Sequence, residues 1–189
     1  MTMLVGALIS AAVLVGAYMM FAGLKQKTAL VARTNPSTLP DKAKADALET
    51  FVKHAADQAA KLPMGNKAFE RLDGMRGPGG AYLIGYSTQE IDDVAKGTML
   101  FHGVPTTTFC DDHHPECDAK DQKMVGKNLY DFKTVGGVYE VRLWLDIAKE
   151  GGGWATTYWK DQWGRLRPKY YYIAPVEDRP YLIASGYFA

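Results

Sequence analysis

An uninterrupted apolar stretch near the N-terminus is the first pattern in the chain. No charged residue occurs from Met3 to Leu24, and these 22 residues as α-helix would measure roughly 33 Å, enough to cross a hydrocarbon core of about 30 Å. No basic segment precedes the stretch and no clear small-residue cleavage site follows it, which argues against a cleaved signal peptide. We therefore predict a transmembrane anchor over residues 1–24, followed by a linker over residues 25–40.

Helical spacing of apolar residues begins after the linker. From Asp41 to Leu62 the apolar residues fall on one stripe, which predicts a long amphipathic helix. Thr38 is expected to cap this helix, with Pro40 in its first turn. A second, short helix is predicted over 67–72, with Asn66 as its cap.

Five short segments rich in aromatic and β-branched residues predict strands. In chain order they are 81–86, 98–102, 154–159, 167–174 and 181–188, and a helical pattern over 138–149 separates the second from the third. Sequential strands with tight connections favour antiparallel pairing, so we predict an α+β domain over residues 41–189. In segment 154–159, alternation assigns Trp154, Thr156 and Tyr158 to one sheet face and Ala155, Thr157 and Trp159 to the other. Aromatic residues on both faces predict that both are covered.

Charge and motifs exclude several functions. The net charge is +1 and basic residues are spread along the chain, so the basic footprint of a nucleic-acid-binding protein is absent. No nucleophile elbow, phosphate-binding glycine loop, paired-histidine metal helix or dinucleotide fingerprint occurs. We expect a non-catalytic protein with no cofactor and no nucleic-acid partner.

The last third of the chain carries an ordered set of short motifs. They are Gly126-Lys127-Asn128-Leu129, the run from Gly153 to Trp159, Pro168-Lys169 leading into Tyr171-Tyr172, and Ser185-Gly186-Tyr187. In this order they resemble the C-terminal half of a single Cache domain. The resemblance implies a PAS-like antiparallel sheet of about five strands and a role in sensing small molecules.

By position, the resemblance places a ligand pocket at Tyr158, Lys169 and Tyr171, with His102 as a further candidate. An ammonium beside phenol hydroxyls suits a small carboxylate such as acetate, propionate, lactate or pyruvate, because a partly desolvated anion needs charge-assisted hydrogen bonds. The alternative is that Lys169 caps a strand at the surface while the tyrosines pack with their hydroxyls in water.

Two cysteines enclose the densest polar cluster, Cys110-Asp111-Asp112-His113-His114-Pro115-Glu116-Cys117. Outside the cytoplasm, thiols this close most simply form a disulfide, which we predict for Cys110 and Cys117. A zinc or copper site has suitable ligand types but matches no common metal spacing, so we predict no metal. A loop with unpaired cysteines remains the third interpretation.

The orientation of the anchor is decided between opposing signals. Lys25, Lys27 and Arg33 follow the span, which by the positive-inside rule favours a cytoplasmic domain. The Cache resemblance and the two cysteines favour the periplasm, and we predict a single-pass inner-membrane protein in the lipid bilayer with a periplasmic domain. Small residues allow close helix packing in lipid, and a partner-binding face is predicted along Gly6, Ser10, Val13 and Ala17.

Cache receptors usually continue into a second membrane helix and a signalling module, whereas this sequence stops at Ala189. We therefore expect a carboxylate-binding domain that acts through a membrane protein partner or a multisubunit complex. The alternative is an accessory structural subunit of a larger respiratory or photosynthetic complex with no ligand. Such a subunit could dock through an aromatic patch of Trp159, Trp163 and Tyr170.

Overall fold

The computed structural model describes residues 32–103, 124–135, 137–161 and 163–189. Within these ranges the α-helices are α1 (Lys42–Lys61), α2 (Asn66–Asp73) and α3 (Glu140–Lys149). The strands are β1 (Ala32–Arg33), β2 (Ile84–Ser87), β3 (Met99–His102), β4 (Gly153–Lys160), β5 (Leu166–Pro175) and β6 (Tyr181–Phe188). The predicted α+β class and the five predicted strands are confirmed.

The strands form one antiparallel sheet in the order β1-β4-β5-β6-β2-β3. β4, β5 and β6 pair consecutively, and β2 joins the free edge of β6. Strand β1 was not predicted: it lies in the segment predicted as a linker and pairs with β4 through Ala32↔Thr156 and Arg33↔Ala155. Two residues are too few to show an alternating pattern in the sequence.

Both faces of the sheet are covered, as the aromatic content predicted. Helices α1 and α2 pack on one face, called here the α1 face, with a core that includes Leu48, Val52, Trp154, Tyr172, Tyr181 and Ile183. Helix α3 packs on the opposite α3 face, with a core that includes Trp144, Ile147, Ala155, Tyr171, Ile173 and Leu182. Alternate residues of β4 and β5 therefore contribute to different cores.

Two predicted helix caps are wrong. Asp41, and not Thr38, caps α1, because its side chain accepts a hydrogen bond from the Lys44 backbone N–H at 2.9 Å. Leu39 is held extended before Pro40, as residues preceding proline usually are, so the helix begins after the proline. Asn66 is the first residue of α2 and follows Gly65, which has no side chain to form a cap.

Among the described residues, no helix is long and apolar enough to cross a membrane. The predicted span over residues 1–24 lies outside the described part of the chain. The predicted partner face of Gly6, Ser10, Val13 and Ala17 lies there as well.

Candidate functional site

Lys169 is a cation enclosed by aromatic rings on the α3 face. It lies in the middle of β5 and is only 9% exposed. Its Nζ donates a hydrogen bond to Tyr82 Oη at 3.3 Å and lies 5.0 to 5.3 Å from the ring centroids of Tyr82, Tyr171 and Phe188. No carboxylate of the described residues forms an ion pair with it. Lys169 is therefore not a surface cap of its strand.

Tyr171 is held beside Lys169 by the absence of a side chain on the next strand. It is 3% exposed, and its register partner on β6 is Gly186. A Cβ atom at Gly186 would stand 2.5 Å from Tyr171 Cδ1 and 2.9 Å from the Tyr170 carbonyl oxygen. Beside Gly186, Ser185 Oγ donates to the Tyr82 carbonyl at 2.6 Å, which fixes the backbone of the residue that contacts Lys169.

His102 closes the cluster on the side of β3. It pairs with Ile84 of β2, and its ring lies 5.2 Å from the Tyr82 ring in an edge-on arrangement. Burial and the nearby charge of Lys169 lower the pKa of His102 to about 4, so the imidazole is neutral at neutral pH. Its buried Nδ1 has no hydrogen-bond partner among the described residues. Such an atom is available to a ligand.

Glu140 belongs to the candidate site, although the sequence analysis did not single it out. It is the first residue of α3, is 5% exposed, and accepts a hydrogen bond from Trp159 Nε1 at 3.1 Å. Burial raises the pKa of the Glu140 carboxyl to about 7, although the Trp159 and Thr157 side chains and the charge of Lys169 act to lower it. The carboxyl group is thus divided between its charged and neutral forms near neutral pH.

Thr157 lies between Glu140 and Lys169. It is fully buried on β4, directly across from Lys169 in the register of β4 and β5. Its hydroxyl is near enough to Glu140 and Tyr171 to lower the pKa of both, yet Oγ1 makes no hydrogen bond of normal geometry to a described residue. We define the Lys169 cluster as Tyr82, His102, Glu140, Thr157, Lys169 and Tyr171.

Tyr158 does not belong to this cluster. It shares a side of β4 with Trp154, whose ring contacts Tyr172 at 5.3 Å and Tyr187 at 6.3 Å on the α1 face. The structure therefore brings Lys169, Tyr171 and His102 to one face and leaves Tyr158 on the other. The alternation of the strand in the sequence had already assigned Tyr158 and Thr157 to opposite faces. Thr157, and not Tyr158, lies opposite Lys169 on the α3 face.

The three residues of the predicted docking patch do not form one surface. Trp159 points to the α3 face, where it stacks on Phe132 at 6.4 Å. Tyr170 stacks on Tyr187 at 5.6 Å on the α1 face. Trp163, in the turn between β4 and β5, is 65% exposed. The predicted patch of all three residues is wrong, because the alternation of strand residues places Trp159 and Tyr170 on opposite faces of the sheet.

The predicted disulfide stays a prediction, because Cys110 and Cys117 lie in the stretch 104–123, outside the described residues. Within the described ranges, no group of three or more His, Cys, Asp or Glu side chains could hold a metal ion.

A depression of about 290 Å³ lies elsewhere, beside β1, and is lined by residues that include Arg33, Glu49 and Trp154. It opens to solvent, and its polar groups already have partners: Trp154 Nε1 donates to Glu49 Oε2 at 3.1 Å, and Lys53 Nζ donates to Glu49 Oε1 at 2.7 Å. The Lys169 cluster is the better candidate site, because two of its buried polar atoms, His102 Nδ1 and Thr157 Oγ1, lack hydrogen-bond partners among the described residues.

No protein-family model matches the chain, and no curated protein matches its sequence. Solved structures do match it. A methyl-accepting chemotaxis protein from Vibrio parahaemolyticus is 19% identical, with a TM-score of 0.53 over 77% of this chain and 88% of its own.

Two further solved structures share the fold. A Cache chemosensory domain, described as showing the basis for carboxylic acid recognition, is 14% identical with a TM-score of 0.56 over 78% of this chain and 95% of its own. A periplasmic sensor domain of a chemotaxis protein is 16% identical with a TM-score of 0.51 over 78% and 92%. The chain therefore has the fold of a Cache-like sensor domain, as the sequence motifs implied.

Proposed function

We propose that this chain is a non-catalytic sensor domain that binds a small carboxylate at the Lys169 cluster. The observation that carries the proposal is the ammonium of Lys169, which is buried among aromatic rings with no carboxylate partner among the described residues. A buried charge is costly unless it is paired and hydrogen-bonded. The carboxylate of a ligand would supply the missing counter-charge.

The neighbours of Lys169 suit the same ligand. Tyr82 and Tyr171 place phenol groups beside the ammonium, and the neutral His102 offers an unpartnered ring nitrogen. Charge-assisted hydrogen bonds of this kind are the strong ones in proteins. The carboxylic acid recognition described for one structurally similar Cache domain supports the choice of ligand class.

Thermal unfolding of the full chain in mild detergent, with acetate, propionate, lactate and pyruvate, tests the proposal. A ligand that binds the folded state raises the unfolding temperature as its concentration exceeds the dissociation constant. We expect at least one of these carboxylates to stabilise the wild type. Lys169→Met keeps the length of the side chain and removes its charge, and should abolish the shift.

Lys160→Met is the matched control, since Lys160 is exposed at the end of β4. It should respond to carboxylates as the wild type does. If no carboxylate shifts the wild-type midpoint, the ligand class is wrong. Equal responses of Lys169→Met and Lys160→Met would place binding outside the cluster.

We further propose that residues 1–24 anchor the domain in the inner membrane, that the domain lies in the periplasm, and that it acts through a membrane protein partner. A periplasmic sensor domain among the similar structures supports this location. Thiol labelling of freshly prepared protein under denaturing, non-reducing conditions tests it. We expect no labelling of Cys110 and Cys117 until a reductant is added, and immediate labelling of both would argue against the disulfide and the periplasm.

An accessory structural subunit of a respiratory or photosynthetic complex is the second candidate. Trp163 and Leu166 favour it, because they expose large apolar surfaces at the hairpin between β4 and β5. Purification in detergent followed by mass spectrometry separates the two candidates. A stoichiometric complex together with no response to carboxylates would favour the accessory subunit.

A further inference from the structure

The Lys169 cluster has two chemically different sides. Tyr82 lies toward β2 with its ring 5.3 Å from Lys169 Nζ, and His102 on β3 lies edge-on to that ring. Thr157 and Glu140 lie toward β4 and α3, and they form an acidic side. Neighbouring strands are about 4.8 Å apart, so the acidic side begins one strand away from Lys169. The Thr157 and Glu140 side chains therefore lie on the β4 side of any ligand that binds Lys169.

The acidic side has unused hydrogen-bonding capacity. Thr157 Oγ1 is completely buried and has no partner of normal geometry among the described residues. Glu140, 5% exposed, accepts the indole N–H of Trp159 at Oε1, and a carboxyl group can form further hydrogen bonds through its second oxygen. Buried polar atoms in folded proteins normally have partners. These two side chains thus indicate a polar group that is supplied from outside the described residues.

Lys169 does not fill that place. Its charge is near enough to lower the pKa of Glu140, but no ion pair within 4 Å joins the two side chains. A cation and an acid are therefore held on one buried face without touching. A small molecule with a carboxylate at one end and a hydrogen-bonding group at the other can bridge them.

We propose that Glu140 and Thr157 bind a hydroxyl group of the ligand, so that the site selects small 2- or 3-hydroxycarboxylates over unsubstituted carboxylates. This inference rests on the proposed function, because it takes Lys169 as the partner of the ligand carboxylate. An unsubstituted carboxylate would leave the buried Thr157 hydroxyl without a partner and would add no hydrogen bond to the Glu140 carboxyl, whose described partner is the indole N–H of Trp159. Sites built to bind a hydroxyl discriminate strongly against analogues that lack it.

A hydroxyl suits the acidic side better than an ammonium does. A hydroxyl donates to an ionised carboxylate and accepts from a protonated one, so it binds both forms of Glu140. An ammonium needs the ionised form, which the burial of Glu140 disfavours. The charge of Lys169 is already balanced by the ligand carboxylate, so a neutral group at the acidic side leaves the site electrically balanced when Glu140 is protonated, the form that its burial favours.

The test is isothermal titration of the full chain, kept in mild detergent, with lactate, 3-hydroxypropionate, propionate and alanine. These compounds share a three-carbon acid skeleton and differ in one substituent. We expect one enantiomer of lactate, or 3-hydroxypropionate, to bind at least about tenfold more tightly than propionate. Alanine should bind no better than propionate.

Two variants assign the preference to Glu140. Glu140→Met keeps the volume and removes both carboxyl oxygens, and should bring the hydroxycarboxylate-to-propionate affinity ratio close to one. Glu140→Gln retains hydrogen-bonding groups and should keep most of the ratio. Asp146→Met is the matched control, because Asp146 is exposed on the same helix, and it should leave the ratio unchanged.

Each other result overturns the inference in a distinguishable way. Equal affinity of the wild type for lactate, 3-hydroxypropionate and propionate would overturn it and leave the proposed carboxylate site standing. Tight binding of alanine that is lost in Glu140→Gln would assign an ammonium to the acidic side. Failure of every carboxylate to bind would overturn the proposed function as well. If circular dichroism shows that Glu140→Met does not fold, Thr157→Val takes its place and should lower the same ratio.

Discussion

Gly186 leaves room on the α3 face for the ring of Tyr171. The ring of Tyr171 lies where a Cβ atom at this position would be, at 2.5 Å from Cδ1 and 2.8 Å from Cε1. Proteins are packed too densely for such an atom to be accommodated without a shift of the ring or the strand. The position of Tyr171 beside Lys169 on β5 therefore depends on a glycine on the neighbouring strand β6.

We expect Gly186→Ala to destabilise the fold by about 1–3 kcal/mol, because overpacking forces side chains and backbone out of place. Gly74→Ala is the control, since a Cβ there would meet only carbonyl oxygens at 3.6 Å. Urea unfolding followed by tryptophan fluorescence measures both variants. Equal stabilities of the two would show that Tyr171 moves aside freely.

Single residues of the site differed in how well the sequence predicted them. Lys169 and Tyr171 were predicted from the motif on β5, and the alternation of that strand places both on the α3 face, while their role in binding stays a prediction. Glu140 was missed, because an acid in the first turn of a helix is favoured by the helix dipole whether it is buried or not. Tyr158 was assigned to the pocket although a shift of one residue along a strand reverses the face.

Among the elements, α1 is tied to the sheet by a side chain from the turn between β5 and β6. Arg179 Nη2 donates to the carbonyl oxygens of Ala60 and Leu62, both at 2.9 Å. The last carbonyl groups of a helix lack partners within the helix, and a cation there also interacts favourably with the helix dipole. One guanidinium thus holds the C-terminal end of α1 against the turn.

We expect Arg179→Ala to lower the free energy of unfolding by about 1–3 kcal/mol, the usual range for hydrogen bonds to a charged group. Arg71→Ala, on the exposed side of α2, should have little effect. Thermal unfolding of both variants tests this. Equal losses would mean that the two carbonyl groups are satisfied by water once the arginine is gone.

The elements themselves were well predicted where their periodicity is long. The apolar stripe from Asp41 to Leu62 corresponds to α1 at 42–61, and the predicted strand at 181–188 matches β6. The predictions failed for short features. Strand β1 has two residues, too few to show an alternating pattern, and the identity of a helix cap depends on the backbone conformation of a single residue. Pairing partners such as β2 with β6 follow from tertiary contacts that a single sequence does not display.

For the molecule as a whole, two buried groups give stability opposite dependences on pH. The folded-state pKa of Glu140 is raised from 4.5 to about 7, so the folded protein binds this proton more tightly than the unfolded chain does. Its contribution is present below pH 4.5 and is lost as the pH rises through about 7. The pKa of His102 is lowered from 6.5 to about 4, so its contribution is present above pH 6.5 and is lost as the pH falls toward 4.

The two dependences partly cancel in the wild type, and a substitution separates them. Relative to the wild type, Glu140→Gln should gain stability between about pH 4.5 and 7, by up to about 3 kcal/mol. His102→Gln should also gain stability relative to the wild type, but as the pH falls from 6.5 to 4. Urea unfolding at a series of pH values measures both differences, and flat differences across this range would contradict the assigned burial of the two groups.

Strand β1 joins the start of the described chain to the strand that carries Thr157. Thr156 pairs with Ala32, and its hydroxyl lies 2.5 Å from that of Thr34. A force that pulls on the chain before Ala32 would act in shear on both residue pairs between β1 and β4, and it would be transmitted directly to β4. Because a junction this short has few bonds to share the force, it should slip before the rest of the sheet yields. The β1–β4 pairing would then transmit small displacements between β4 and the chain before Ala32, and it would separate under large ones.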